Sequence, residues 1–453
     1  MLDRTICERA RRAKDARFDG LFFIAVHTTG IYCRPICPVT RVKEHNITYY
    51  RTALEAAQAG YRPCLRCRPD SAPGSPAWRG INSTIDRGVR LIHTGYLQEN
   101  SIEDLAAMLG VGDRHLRGLF QKHLGASPKQ FALYSQCLFA KKLLHNTQFS
   151  VTDIALASGF KSIRRFNDDF KRQIGLSPRQ IRRSRSSGKG LKIDLSYRPP
   201  YRWDVMQSFL RERLIAPLEW ITLDAYGRTF QLGSAKGTFA AKHNAKENIF
   251  ELEIDLDDIT ALRAVIDNVR RILDLDADTQ AIDKMLRQAL GPAFPFKSGS
   301  RLPGLWDVFE AGIRAILGQQ ISVKAAHTYC AQLVAELGEP LGAQYVFPTP
   351  QAVANSDLSF LAMPRSKKET LRRFAAFMAD EPEYENLEKW RSLKGIGPWT
   401  VQYAQLRGQS QPDIYMHSDL GILKMEKTLP NTFSAEAVAP WRSYLTLQFW
   451  RQL

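Results

Sequence analysis

The sequence predicts a multidomain protein, predominantly α-helical with α+β parts, and three observations carry that expectation. Its 453 residues are too many for one ordinary core. A helical pattern over residues 101–181 repeats itself, which defines an all-α unit. The second half passes from alternating strands and helices to helices alone. With a cysteine-rich start this makes four parts, expected at 1–78, 79–187, 188–298 and 299–453.

Composition narrows the partners. An apolar share of 44% is ordinary for globular protein, but a net charge of +17 favours a polyanion, nucleic acid before membrane. No apolar run reaches the roughly 18 residues needed to span a bilayer, so no membrane partner is expected. The opening "MLDRTICERARRAKDARFDG" mixes charges and lacks the apolar centre of a secretory signal. A cytoplasmic, reducing location is therefore expected, where clustered cysteines mean metal or catalysis rather than disulfides. Cys7, Cys137 and Cys330 stand alone and read as packing residues.

The first unit is organised by Cys33, Cys37, Cys64 and Cys67, in "GIYCRPICPVT" and "GYRPCLRCRPD". C-x3-C and C-x2-C pairs with 26 residues between them suit one tetrahedral Zn²⁺ with four sulfur ligands. Short strands ("FFIAV", "ITYY") and one helix ("ALEAAQAG") fill the stretch, a small α/β core that the metal would hold together. Spacing alone leaves two readings open, a purely structural zinc or a zinc-activated nucleophile.

Over some fifty residues, both cysteine pairs included, this unit closely resembles the N-terminal domain of Ada-type methylation-response proteins. The resemblance implies zinc held by Cys33, Cys37, Cys64 and Cys67, with Cys33 accepting a methyl group from a DNA methylphosphotriester. The chemistry is coherent, because zinc keeps thiols deprotonated and four thiolates leave the centre at a net charge of −2. Methylating one thiolate removes negative charge from a surface that faces phosphates, so DNA affinity should rise.

In the second unit "SIEDLAAMLG" aligns with "SVTDIALASG", and "LGASPKQF" with "IGLSPRQI", at offsets of 49 and 50. Each copy opens on a capping Ser and carries apolar residues at helical spacing. A glycine turn follows, at Gly110 or Gly159, and then a basic helix near Gly112–Lys122 or Lys161–Arg172. Two helix-turn-helix motifs would reach major-groove segments one helical turn apart. This unit resembles the AraC-type DNA-binding domain, which follows the zinc domain in Ada proteins. The basic stretch "RQIRRSRSSGKGLK" (Arg179–Lys192) reads as a flexible joint, either touching phosphate or merely solvated. The Pro-Cys-His tripeptide of the alkylguanine methyltransferase domain common in Ada proteins does not occur after residue 190.

The third unit reads as small α+β. Strands are expected at "KIDLSY", "ITLDAY", "RTFQLG" and "IFELEID", helices at "WDVMQSFLRERL" and "ALRAVIDNVRRILDL". The last unit is all helix and contains "LKGIGPWTVQYAQLRG", where two glycines flank an isoleucine in a tight turn whose amides can hold a phosphate. "DIYMHSDLGI" follows it. From "YRPPYRWDVMQSFL" to "PWRSYLTLQFW" the chain resembles AlkA-type 3-methyladenine DNA glycosylases of the helix-hairpin-helix superfamily.

That resemblance implies Gly395 and Gly397 on the DNA backbone and Asp419 as the essential carboxylate. Trp399, Tyr403, Trp441 and Phe209 would line the base pocket, and Gln320 would be the wedge that fills the gap left by a flipped base. Alkylation makes a purine cationic and a good leaving group; aromatic faces bind such a cation, and a carboxylate beside C1′ stabilises oxocarbenium character. No cofactor is expected for this step. A strand-cutting lysine would stand where Trp399 stands, so a monofunctional enzyme is expected. The reading is a DNA-3-methyladenine glycosylase fused to a zinc-thiolate methyl acceptor and transcriptional activator. Its partners would be alkylated and promoter double-stranded DNA, with RNA polymerase. The alternatives are a DNA-binding regulator with a catalytically silent glycosylase-like domain, and a zinc unit that is only a passive anchor.

Overall fold

The computed structural model describes the chain apart from residues 1–3, 14–17, 19–20, 38–41, 65–66, 68, 70–83, 148, 182–190, 381–386, 430–432 and 453. Most of the expected basic joint thus lies outside the described residues. The chain forms two compact units: Met1–Lys189 with Ile259–Asp267, and Gly190–Asp258 with Asn268–Leu453. Among the described residues no helix is long and apolar enough to cross a membrane.

The first unit begins with α1 (Arg4–Ala13), β1 (Phe23–Val26), β2 (Ile31–Cys33), β3 (Ile47–Tyr50), α2 (Ala53–Gln58) and β4 (Arg62–Pro63). The sheet order is β3-β1-β2-β4, antiparallel except for the parallel pair β2 and β4. β1, β3 and α2 fall where the apolar pattern expects them. β2 and β4 are too short to show a pattern; β2 ends on Cys33, and Cys64 directly follows β4.

Among the described residues eight helices follow: α3 (Thr84–His93), α4 (Tyr96–Glu99), α5 (Ile102–Met108), α6 (Asp113–Leu124), α7 (Pro128–Asn146), α8 (Val151–Ala157), α9 (Ile163–Ile174) and α10 (Pro178–Ile181). The sequence repeat is also a repeat of local physics. Ser101 and Ser150 each form a reciprocal capping box with the Asp three residues on. Gly110 and Gly159 both adopt the left-handed conformation at the turn, with φ of 70° and 80°. Strand residues Phe23, Ala25 and Tyr32 share one apolar core with Leu105, Leu116, Phe120 and Tyr134, so the cysteine-bearing sheet is packed directly on the helices. The buried Tyr32 and Tyr134 hydroxyls are hydrogen-bonded to each other.

The second unit starts with β5 (Leu191–Ser196), α11 (Trp203–Glu212), β6 (Glu219–Ile221), β7 (Ala225–Leu232), β8 (Ala235–Asn244) and β9 (Ile249–Leu256), an antiparallel sheet of order β5-β9-β8-β7-β6. Two details differ from the sequence reading. "ITLDAY" is not one strand, because Thr222 turns the chain: its N–H donates to the Ala225 carbonyl at 2.8 Å and its Oγ1 accepts from the Ala225 N–H at 3.0 Å. β8 is a strand that apolar alternation did not announce, and it is held by pairing with β7 and β9 along its whole length.

Helix α12 (Leu262–Ile272), whose residues up to Asp267 belong to the first unit, comes next, followed by α13 (Thr279–Leu290), α14 (Val308–Gly318) and α15 (Val323–Leu337). A two-strand ribbon, β10 (Pro340–Leu341) with β11 (Gln344–Tyr345), precedes α16 (Pro350–Asn355), α17 (Arg365–Asp380), α18 (Pro398–Arg407), α19 (Leu420–Glu426) and α20 (Arg442–Trp450). A buried charge cluster fastens the sheet to α14. Arg228 of β7 makes two hydrogen bonds to Glu310 (3.2 and 2.7 Å), and Arg314 bridges Glu310 (2.7 Å) and Glu219 (3.0 Å). Charges this deep are tolerable only as a matched set, because each partner compensates the desolvation of the other.

Arg228→Met, which leaves Glu310 short of a cation, should therefore destabilise this unit by about 3–5 kcal/mol in urea unfolding. A loss under about 1 kcal/mol would contradict the role given to the cluster.

Candidate metal centre and catalytic pocket

Parallel pairing of β2 with β4 puts Tyr32 opposite Pro63, so Cys33 and Cys64 leave the two strands side by side. The Cys64 amide donates to the Tyr32 carbonyl at 2.9 Å and locks that register. After β2 a turn closed by the Cys37 amide on the Arg34 carbonyl at 3.1 Å brings round Cys37, and Cys67 completes the set. All four Sγ atoms lie within 4.8 Å of one another, with Cys37 and Cys64 4.0 Å apart. Tetrahedral zinc with Zn–S bonds of 2.3 Å asks for sulfur separations of about 3.8 Å, so the set fits the ion.

Electrostatics supports the same conclusion. Hydrogen bonds from Cys33, Cys37 and Cys67 hold the Cys64 thiol below its ordinary range, while hydrogen bonding to Cys37 pushes Cys33 up. Four crowded thiols cannot all ionise by themselves; a dication is what makes four thiolates compatible. The Arg34 amide already donates to Cys67 Sγ at 3.3 Å. Cys33 is only partly buried, whereas Cys37, Cys64 and Cys67 are buried.

In the second unit the glycine turn lies between Trp390–Leu393 and α18. Gly395 has φ +96°, and a Cβ there would lie 2.3 Å from Thr370 Oγ1, so two separate reasons require glycine. Gly397 precedes Pro398 and starts α18 without a side-chain cap, and a Cβ on it would meet nothing within 4 Å. An uncapped helix start with an open face is suited to an anion.

Asp419 is the N-cap of α19: its Oδ1 accepts from the amides of Gly421 (2.9 Å) and Ile422 (3.2 Å). Its Oδ2 accepts from Trp399 Nε1 at 2.9 Å, and Trp450 Nε1 approaches Oδ1 at 3.4 Å. Trp399 and Tyr403, one turn apart on α18, stack at 5.4 Å and 25° and thus form one wall beside the carboxylate. Trp441 belongs to the same apolar cluster as Trp399, Tyr403 and Trp450. Phe209 lies on α11, buried, with the Arg213 guanidinium 3.9 Å over its ring. Arg407, at 4.8 Å from Phe209 and 5.8 Å from Tyr403, joins that ring to the others. Burial, reinforced by the guanidiniums of Arg314 and Arg213, pushes His327 down to about 4, so this imidazole stays neutral at physiological pH.

Gln320 is exposed, between α14 and α15, in the left-handed conformation with φ +61°. Trp450, Arg407 and Arg213 were not singled out by sequence reasoning. The only signal for Arg213 was its i+4 spacing from Phe209; Trp450 gave none beyond being aromatic.

Residues 6–70 match the metal binding domain of Ada, 105–184 a helix-turn-helix domain, and 192–307 the AlkA N-terminal domain. The probable bifunctional transcriptional activator/DNA repair enzyme AlkA of Mycobacterium tuberculosis is 34% identical over 481 residues, spanning 99% of this chain and 96% of that protein. DNA-3-methyladenine glycosylase 2 of Escherichia coli K12 is 31% identical over 276 residues, 56% of this chain and 95% of that protein. The bifunctional transcriptional activator/DNA repair enzyme Ada of E. coli K12 is 32% identical over 176 residues, 38% of this chain and 46% of that protein.

Metal analysis of the purified chain should find one zinc, lost in Cys64→Ser, with protease cleavage then appearing in the segment Phe23–Cys67. Full zinc retention in Cys64→Ser would contradict a four-sulfur centre.

Proposed function

This chain belongs to the AlkA family of bifunctional transcriptional activators and DNA repair enzymes, and on that premise we propose how its residues divide the work. The second unit is a monofunctional DNA-3-methyladenine glycosylase; the first is a zinc-thiolate methylphosphotriester acceptor and DNA-binding activator. The parts are assigned as 1–78 for methyl transfer, 79–187 for promoter reading, 188–298 for the α+β support and 299–453 for base excision. The protein would work in the cytoplasm on double-stranded DNA and hand its transcriptional signal to RNA polymerase.

The observation that carries the glycosylase reading is the Asp419 carboxylate, which caps α19 and accepts a hydrogen bond from an indole of the adjacent aromatic wall. An alkylated purine is already cationic, so the face of Trp399 and Tyr403 attracts it once it is flipped. Departure of the neutral base leaves positive charge on the sugar, which Asp419 stabilises while it orients the attacking water. Hairpin amides around Gly395 and Gly397 grip a phosphate, Gln320 occupies the vacated stack, and Trp441 and Phe209 complete the pocket. With Trp399 at the position a lysine nucleophile would take, water is the nucleophile and no cofactor enters the step.

In the first unit, partial exposure of Cys33 among three buried thiols supports it as the acceptor. Cys33, Cys37, Cys64 and Cys67 would hold a zinc ion, which when bound would keep their sulfurs ionised. Cys33 Sγ attacks the methyl carbon; the S–C bond forms, the O–CH₃ bond breaks, and its electron pair stays on the phosphate oxygen as a diester. The protein surface loses one negative charge, so its attraction to neighbouring phosphates increases.

Asp419→Asn should lower 3-methyladenine release from methylated DNA by at least about 100-fold, with affinity for undamaged duplex unchanged. Release at the wild-type rate would remove Asp419 from the mechanism. After incubation with methylphosphotriester DNA, peptide mass analysis should find one methyl on Cys33; methylation elsewhere, or nowhere, contradicts the acceptor assignment.

A further inference from the structure

Two loops must act together in base flipping, the hairpin that grips the backbone and the loop that bears the wedge. In this chain they are physically tied. The Gln319 side-chain amide donates to the Gly395 carbonyl at 3.1 Å, inside the hairpin, and to Thr400 Oγ1 at 3.0 Å, in the first turn of α18. Gln319 is the C-cap residue of α14 and directly precedes the left-handed Gln320.

A second tie runs through α17. Lys367 Nζ donates to the carbonyls of Leu317 (3.1 Å) and Gln319 (2.7 Å), which satisfies the end of α14 and fixes the backbone from which Gln320 projects. Two turns along the same helix, Arg373 Nη1 donates to the Lys394 carbonyl at 2.8 Å, and Thr370 packs into the space that only glycine at 395 leaves. One rigid helix therefore holds both loops, and Gln319 cross-links them directly.

We propose that Gln319 is a positioning residue for base flipping: by bonding the hairpin it sets the wedge loop in register with the gripped backbone. The idea rests on reading Gln320 as the wedge and the hairpin as the phosphate grip. A loop with φ > 0 at a non-glycine residue is held there by its surroundings, and the two hydrogen bonds of Gln319 are part of what holds it. Released from them, the wedge would enter the stack less often, and the cost of unstacking a paired nucleotide would be recovered less fully on insertion.

The test uses the full chain as Gln319→Met, which keeps length and loses both donors, Gln319→Glu, which keeps shape and offers only acceptors, and Gln320→Ala. Each is assayed for lesion release from a fully paired duplex and from single-stranded DNA, and for flipping by the fluorescence of 2-aminopurine beside an abasic analogue. Gln319→Met and Gln319→Glu should both release the paired lesion about tenfold more slowly, as two lost hydrogen bonds predict. Single-stranded release should stay within about twofold of wild type, since no pair has to be opened, and the fluorescence change should shrink in parallel. Equal loss on both substrates, or a wild-type Gln319→Met, overturns the role of Gln319. An unaffected Gln320→Ala would instead remove the wedge reading underneath it.

Discussion

The hydrogen bonds that hold the Asp419 carboxylate constrain the rest of the glycosylase unit. As N-cap, Asp419 accepts from amides that α19 would otherwise leave unsatisfied, so its position is fixed by the helix it starts. As partner of Trp399 it is fixed a second time, by a ring whose own place is set by the turn at Gly397. The same turn thus leaves an open, uncapped helix start on one side and sets an indole against the carboxylate on the other. The residue that completes α19 is also the one with an oxygen bonded to the aromatic wall.

The metal centre follows a comparable economy. Two strands of three and two residues are too short to be stable alone, but their parallel register sets Cys33 beside Cys64. Metal binding and strand pairing each presuppose the other, so this corner should form in one cooperative step. Because Tyr32 of β2 packs into the helix-turn-helix core and bonds Tyr134, the strand bearing Cys33 is continuous with the helix-turn-helix motifs of its own unit.

Much of this was legible in the sequence because the signals were local. Capping serines, turn glycines and 3.6-residue apolar spacing are rules of neighbouring residues, and α5, α6, α8 and α9 stand where they point. What escaped was set by distance. β2 and β4 have no periodicity to detect and exist through pairing across the unit. β8, rich in Ala and Lys, is a strand because β7 and β9 flank it, and "ITLDAY" is divided by the turn chemistry of Thr222. Gln319, Lys367 and Trp450 look like unremarked surface or core residues until partners 76, 50 and 31 positions away are known. The expected site residues Trp399, Tyr403 and Asp419 came from a resemblance, and their grouping is a matter of geometry that no spacing rule supplies.

The most direct measurement of the central claim is a structure of the protein on duplex DNA carrying one uncleavable alkylated purine nucleotide. The account predicts the nucleotide everted, its base against Trp399 and Tyr403, and an Asp419 oxygen within about 3.5 Å of C1′. A base everted into any other cavity, with the carboxylate of Asp419 engaged only by α19 and remote from the sugar, would contradict it.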